Sequence, residues 1–237
     1  ATKNRLIEED PNSAKVIKPF LAGRDIKRYA APQINKYLIF FPKGFTIKRN
    51  LPPDDPNHID SLNEPPPRYG DISYQDAWNW ISDNYPAIAN HLLPFKEKAE
   101  KRYDKGDFWW ELRACDYYDE FEKPKIMLPD IALKAQGMID TSNAFCVNTA
   151  YIIPVYDLGL LALLNSRLVH FFYSNLTSSI RGGYLRFIRQ YLEQIPVCSE
   201  ISNNHMILEK AEQIHSLKKQ DPKADTSTLE AEIDQLV

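Results

Sequence analysis

The chain has 237 residues, with 29 Lys and Arg against 32 Asp and Glu, which gives a formal net charge of −3. Its content of 43% hydrophobic and 12% aromatic residues excludes a disordered chain, and no run of apolar residues is long enough to span a membrane. Three widely spaced cysteines argue against a disulfide framework or a zinc knuckle. We therefore expect a globular, cytoplasmic protein with no membrane association. Because the chain lacks an initiator Met, we also expect a segment of a longer protein.

Charge is unevenly distributed along the chain. Residues 15–50 carry nine Lys and Arg against one Asp, and residues 51–83 carry seven acids against one Arg. Residues 158–192 hold four Arg and no acid. The two basic stretches predict a surface for a polyanion if the fold brings them together, whereas two ordinary solvated faces would give the same pattern.

The first half of the chain predicts short elements followed by helices. Ser13 caps a helical turn, AKVIKPFL, which Gly23 ends. KYLIFFP, residues 36–42, predicts a buried strand, and the Pro- and acid-rich residues 51–71 predict a long surface loop. A helical stripe begins after Ser73, and a second helix begins at Pro86 and is interrupted at Pro94.

The second half predicts strands and then helices. Residues 123–132 and 144–156 read as strands separated by a turn around Gly137. Asp157 caps a nearly all-apolar helix over 157–176, and residues 184–197 read as strand-like or short helical. From Asn204 the pattern predicts two amphipathic helices that are separated near Pro222.

The sequence shows no catalytic motif. Glycine is scarce, and neither GxxxxGK[ST] nor GxGxxG occurs; the adenine-methyltransferase signature [DN]PP[YF] and the zinc motif HExxH are also missing. Asp130 resembles the first carboxylate of a metal-dependent nuclease, but the later Asp221-Pro222-Lys223 lies in a polar, Pro-broken stretch that cannot form the required strand. We therefore expect that this fragment is not itself an enzyme.

Six strings, taken in order, are jointly distinctive. They are IKPFLAGRDIKRY (17–29), YPAIANHLLPFKEKAEKRYDKGDFWWELR (85–113), FEKPKIMLPDIA (121–132), FCVNTAYIIPV (145–155), LLALLNSRLVHFFY (160–173) and RGGYLRFIRQYLEQIPV (181–197). Together they resemble the TaqI-like C-terminal specificity domain of adenine-N6 methyltransferases and type IIG restriction–modification enzymes. The resemblance implies an α+β fold, with a mixed β-sheet target-recognition domain over residues 1–203, flanking helices, and a C-terminal helical spacer over 204–237.

The resemblance also implies a function. The chain would recognise a specific sequence in double-stranded DNA, opposite an N-terminal methyltransferase domain of the same polypeptide, while a target adenine is flipped out. No cofactor is expected in this fragment; S-adenosylmethionine and Mg²⁺ are expected for the parent's other domains. The alternative is a protein-interaction subunit that docks through its C-terminal helices and does not read DNA.

The basic stretches contain the candidate DNA contacts. For phosphates we predict contacts from five cations: Lys27, Arg28, Lys43, Lys48 and Arg49. For bases or the groove we predict contacts from the second stretch: Arg181, Gly182, Gly183, Tyr184, Arg186 and Arg189. A flexible turn with solvated arginines would explain the second set equally simply. Trp109 and Trp110 read as core residues, with base stacking as the alternative.

Overall fold

The computed structural model describes residues 2–49, 73–177, 179–180 and 182–237, apart from the side chain of Arg49. The predicted loop over 51–71 and Arg181 therefore lie outside the described residues. The chain divides into two compact units. Unit 1 comprises Ala1–Lys18 and Tyr37–Asp119, and unit 2 comprises Pro19–Lys36 and Glu120–Val237.

Unit 1 is mainly helical. Its helices are α1 (Thr2–Glu9), α2 (Ser13–Val16), α3 (Phe45–Arg49), α4 (Tyr74–Asn84), α5 (Pro86–Leu92) and α6 (Lys96–Glu100). The chain passes between the units within the strands β1 (Ile17–Leu21) and β2 (Lys36–Ile39). The core of unit 1 is aromatic and includes Phe41, Phe45, Trp109 and Trp110.

Unit 2 combines small sheets with helices. Its remaining strands are β3 (Lys125–Pro129), β4 (Ile131–Ala132), β5 (Met138–Asp140), β6 (Phe145–Cys146), β7 (Ala150–Ile153) and β8 (Leu185–Arg186). Its helices are α7 (Leu158–Asn165), α8 (Arg167–Leu176), α9 (Arg189–Leu192), α10 (His205–Gln220) and α11 (Ser227–Leu236). The fully buried strand β3 lies between β5 and β7, antiparallel to both, and β1 pairs in parallel with β6. This arrangement confirms the predicted α+β class.

Capping residues and prolines set the ends of the helices. Ser73 and Asp157 each accept a hydrogen bond from a backbone N–H of the helix they precede. Pro94 interrupts the long predicted helix, so α5 and α6 are joined by a 3₁₀ turn over Leu93–Phe95. Ser166 divides the predicted helix over 157–176 into α7 and α8, and its hydroxyl accepts from the Val169 N–H at 3.1 Å. No helix among the described residues is long and apolar enough to cross a membrane.

Three local predictions are wrong. The helical turn predicted over 14–21 ends at Val16, and the chain continues as β1. Pro19 has no N–H to donate a helical hydrogen bond, and the residue before a proline favours extended backbone. Strand β5 was expected to be part of a turn. In KYLIFFP, predicted as a buried strand, Tyr37 is 41% exposed, whereas Phe40 and Phe41 are fully buried.

Candidate nucleic-acid interface

Within the second basic stretch, residues 180 and 182–187 form a turn and the short strand β8 of unit 2. Strand β8 pairs antiparallel with β4, so Arg186 lies opposite Ile131 and Leu185 lies opposite Ala132. Before β8, the Gly183 N–H donates to the Ile180 carbonyl at 3.0 Å and the Ile180 N–H donates to the Tyr184 carbonyl at 2.7 Å. We call residues 130–132 together with 180 and 182–187 the Arg186 hairpin.

The turn of the Arg186 hairpin needs its glycines. Gly182 and Gly183 have φ angles of +89° and +80°, in the left-handed region that other residues rarely adopt. A side chain at Gly183 would meet no atom within 4 Å, so the requirement at this position is conformational and not steric. Gly182 and Gly183 therefore shape the turn, and the surface beside Gly183 is open.

Arg186 is exposed on a firmly held backbone. The Tyr173 hydroxyl donates to the Arg186 carbonyl at 2.7 Å, and the Tyr173 ring stacks on Phe187 at 4.5 Å between centroids. The Phe187 N–H donates to the Asp130 carbonyl at 2.7 Å. The Arg186 side chain is 52% exposed, and its Nη2 lies 3.6 Å from Asp130 Oδ2. A rigid backbone with a half-exposed guanidinium is a suitable geometry for binding a base edge or a phosphate.

Tyr184 and Arg189 flank Arg186 in the chain. Tyr184 is 41% exposed. Arg189 begins α9, and its guanidinium donates to Glu193 at 2.6 Å in an exposed pair. Such a pair contributes little to stability and is exchanged easily for a phosphate partner. Both side chains are therefore accessible, and their predicted DNA contacts stay predictions.

The cations before β2 in unit 2 differ from one another. Lys27 is exposed. Arg28, in contrast, is engaged: its guanidinium donates to the Glu230 carboxylate of α11 and to the carbonyls of Asn165 and Ala135. Lys27 is available to a phosphate in this arrangement, whereas Arg28 connects α11 to the rest of unit 2.

The cations predicted in unit 1 also differ from one another. Lys43 is exposed and lies 3.4 Å from Asp107. Lys48 is only 3% exposed, so its ammonium cannot contact a phosphate from this position. Because the side chain of Arg49 lies outside the described residues, its predicted contact stays a prediction.

Glu111 holds the loop that carries Lys43. Its carboxylate is fully buried and accepts hydrogen bonds from the backbone N–H groups of Gly44 and Thr46, at 3.2 and 3.1 Å. It also accepts from the Asp107 N–H at 3.0 Å. Burial raises the pKa of Glu111, and the bonds from Thr46 and Gly44 lower it in part. Glu111 thus has a structural role, because it holds this loop in place through backbone hydrogen bonds.

Trp109 and Trp110 are core residues, as predicted. They are 3% and 4% exposed, and their indole N–H groups donate to Tyr74 Oη at 2.7 Å and Thr46 Oγ1 at 2.8 Å. In this arrangement neither ring presents a face on which a base could stack. Both rings border an open, mainly apolar cavity of about 500 Å³ within unit 1. Its described lining has no carboxylate, imidazole or thiol, so we assign this cavity no catalytic role.

Comparison with known proteins identifies the family. The family model of the TaqI-like C-terminal specificity domain matches residues 18–197. The chain belongs to this family. The matched range contains every residue predicted above to contact DNA, and it ends before α10 and α11.

One relative and one solved structure to which the chain is similar are consistent with this family assignment. The chain is 29% identical over 120 residues to the Type II methyltransferase M.XhoI of Xanthomonas vasicola. This alignment covers 48% of the chain and 22% of the relative. Its fold is similar to that of the Type IIL restriction-modification enzyme MmeI, solved in complex with DNA, at a TM-score of 0.58 and 13% identity. That match covers 98% of this chain and 28% of the MmeI chain. The matched regions thus make up about a quarter of the length of each of these relatives.

Sequence reasoning missed the structural partners of the predicted site. Asp130 was considered only as a metal ligand, yet the described residues contain no group of three or more His, Cys, Asp and Glu that could hold a metal ion. Asp130 instead lies between β3 and β4, beside Arg186. The apolar run that ends at Pro129 marked this boundary, but no sequence pattern pairs an acid with an arginine 56 positions away.

Proposed function

We propose that this chain is a target-recognition domain that binds double-stranded DNA in a sequence-dependent way. The observation that carries the proposal is the position of Arg186: half-exposed, on a backbone held by β4 and Tyr173, and inside the region that matches the specificity-domain family. Arginine binds guanine through two parallel hydrogen bonds, the commonest specific contact in the major groove. Lys27 would add contacts to phosphates, as would Lys43 of unit 1.

We further propose that the domain serves a catalytic neighbour in the same polypeptide, which methylates adenine N6. The names of its relatives, a Type II methyltransferase and a restriction-modification enzyme, support this proposal. S-adenosylmethionine would bind to that neighbour, and Mg²⁺ would be needed only if the parent also cleaves DNA. Adenine methylation by the full-length polypeptide, detected by mass spectrometry of digested DNA, tests this part separately.

The competing interpretation, docking through the C-terminal helices, has less support. Ile207, Ala211 and Ile214 of α10 and Ile233 of α11 are at most 1% exposed and belong to the same hydrophobic core as α7. The apolar faces that would dock a partner are therefore already buried within unit 2. What remains exposed on these helices is mostly polar.

The direct experiment is a titration of a fluorescently labelled 30-base-pair duplex with this chain at several salt concentrations. We expect binding that weakens with salt, with a slope in log Kd against log [salt] of about 0.9 for each phosphate contact. A selection from a pool of random duplexes should enrich a defined sequence. Absence of binding at low salt, or binding without an enriched sequence, would contradict the proposed function.

A further inference from the structure

The inference concerns Asp130, and it rests on the proposed function. Asp130 follows the buried strand β3 and precedes β4, and its backbone is held on both sides. Its N–H donates to the Thr149 carbonyl at 2.8 Å, and its carbonyl accepts from the Phe187 N–H at 2.7 Å. The position of the Asp130 carboxylate is therefore fixed relative to the Arg186 hairpin.

The two oxygens of the Asp130 carboxylate have different surroundings. Oδ2 faces Arg186, with 3.6 Å to Nη2, whereas Oδ1 is buried and has no hydrogen-bond partner among the described residues. The Asp130 side chain is only 14% exposed, so it cannot reach a base edge itself. A buried carboxylate without full hydrogen bonding is costly, and Asp130 forms an ion pair with Arg186. This cost is the kind that proteins accept at functional sites.

Tyr151 lies within electrostatic reach of the same pair. Burial raises the pKa of Tyr151, the Asp130 carboxylate raises it further, and the Arg186 guanidinium lowers it in part. Tyr151 is itself half-buried. Because the Asp130 side chain is only 14% exposed, the attraction between Asp130 and Arg186 is stronger than between two fully exposed groups.

We propose that Asp130 is a positioning residue for base recognition: it attracts one nitrogen of the Arg186 guanidinium and leaves the remaining N–H donors directed at a guanine edge. The Nη2–Oδ2 separation of 3.6 Å exceeds hydrogen-bond length, so the charge attraction biases the orientation of Arg186 without occupying its donors. Recognition of a base benefits from this bias, because the two bonds to guanine O6 and N7 form only when the guanidinium is coplanar with the base. Phosphate binding needs no such alignment.

Asp130→Asn is the test substitution, and Glu193→Gln is its matched control. Each removes one negative charge beside an exposed arginine of unit 2 and keeps the shape of the side chain, but Glu193 pairs with Arg189 in an open, solvated site. Random duplexes are selected with the wild-type chain and both variants, and discrimination is then measured at each base pair of the enriched sequence. Thermal unfolding by circular dichroism verifies the fold of each variant.

For Asp130→Asn we expect roughly tenfold weaker discrimination at one G·C base pair, with unchanged discrimination at the other positions and unchanged affinity for random DNA. Glu193→Gln should keep the complete wild-type pattern. If Asp130 had only a structural role, Asp130→Asn would lower discrimination at all base pairs of the enriched sequence together. Unaltered discrimination in folded Asp130→Asn, or an equal loss in Glu193→Gln, overturns the inference while leaving the proposed function intact.

Arg186→Lys provides a second test that does not depend on Asp130→Asn folding. It retains the positive charge but loses the planar fork, so it should lose discrimination at the same base pair. Retention of wild-type discrimination by Arg186→Lys overturns the inference. Failure of the wild-type chain to enrich any sequence removes the proposed function and this inference together, and is thereby distinguished from the other outcomes.

Discussion

Cys146, at the end of β6, shows how burial controls the chemistry of a single residue. Burial raises the pKa of its thiol to about 12, although Lys125 nearby lowers it in part. Cys198 lies after α9 and is exposed. Since the thiolate is the reactive form, the two cysteines should differ in reactivity despite their identical chemistry.

We expect alkylation with iodoacetamide at pH 8 to label Cys198 first. The thiolate fraction of Cys146 at this pH is on the order of 10⁻⁴, and the higher nucleophilicity of a high-pKa thiolate offsets this only in part, so its labelling should be at least about tenfold slower. Mass spectrometry of peptides during a time course measures both rates. The same reaction in urea, where both cysteines should react equally, is the control. Equal rates in the native protein would contradict the raised pKa of Cys146.

Arg28 and Lys27 illustrate what residue type alone leaves undecided. Both are cations in one basic stretch, and both were predicted to contact phosphates from charge and from the family resemblance. Arg28 is committed to Glu230, 202 positions away, while Lys27 is exposed. A partner so distant in sequence produces no local pattern, so only the fold separates the two cations.

At the scale of elements, the positions of helices were the most predictable feature. α4, α5 and α7 begin where a capping residue or a proline predicted them, because these signals act over three or four neighbouring residues. α10 and α11 lie where the amphipathic pattern predicted two helices. The short strands β4, β5 and β8 were less predictable. Strands of two or three residues exist through pairing with distant partners, such as β8 with β4, and not through their own composition.

The attachment of α11 to the rest of unit 2 provides a prediction at this scale. Arg28→Ala removes the link from Glu230 to the carbonyls of Asn165 and Ala135, and should lower the free energy of unfolding by roughly 2 kcal/mol. Urea unfolding followed by circular dichroism measures this loss. The salt slope of DNA binding should stay unchanged, because the guanidinium of Arg28 is already occupied.

Lys27→Ala is the matched variant, one residue away in the same segment. It should leave the free energy of unfolding within about 0.5 kcal/mol of wild type and reduce the salt slope by about one. The reverse pattern, with a reduced salt slope for Arg28→Ala and lost stability for Lys27→Ala, would mean that the roles of the two cations are exchanged.

At the scale of the whole molecule, the chain passes between its two units three times, at residues 18/19, 36/37 and 119/120. Residues 19–36 therefore belong to unit 2 although their neighbours on both sides belong to unit 1. The first basic stretch is divided in this way: Lys27 is in unit 2, and Lys43 is in unit 1. Composition and periodicity describe consecutive residues, and the resemblance of the six strings implied the family and the fold class, but neither predicted this division.

The C-terminal helices raise the question of domain boundaries. The predicted spacer begins at residue 204, after the end of the family match at residue 197. By its contacts, however, this segment belongs to unit 2, since Ile207, Ala211, Ile214 and Ile233 lie in one core with Leu161 and Tyr173. A spacer that folds separately would not place its apolar residues there.

Truncation after residue 203 distinguishes these two descriptions. Each buried aliphatic side chain contributes roughly 1.5–3 kcal/mol, so losing three isoleucines from the core removes about 5–9 kcal/mol, comparable to the whole stability of a typical domain. We expect the chain ending at 203 to lose cooperative thermal unfolding of unit 2. A chain ending at 224 keeps α10 and should unfold cooperatively at a reduced temperature. If the shorter chain melts like the complete one, the boundary at 204 is a true domain boundary, and α10 and α11 are a spacer in the structural sense as well.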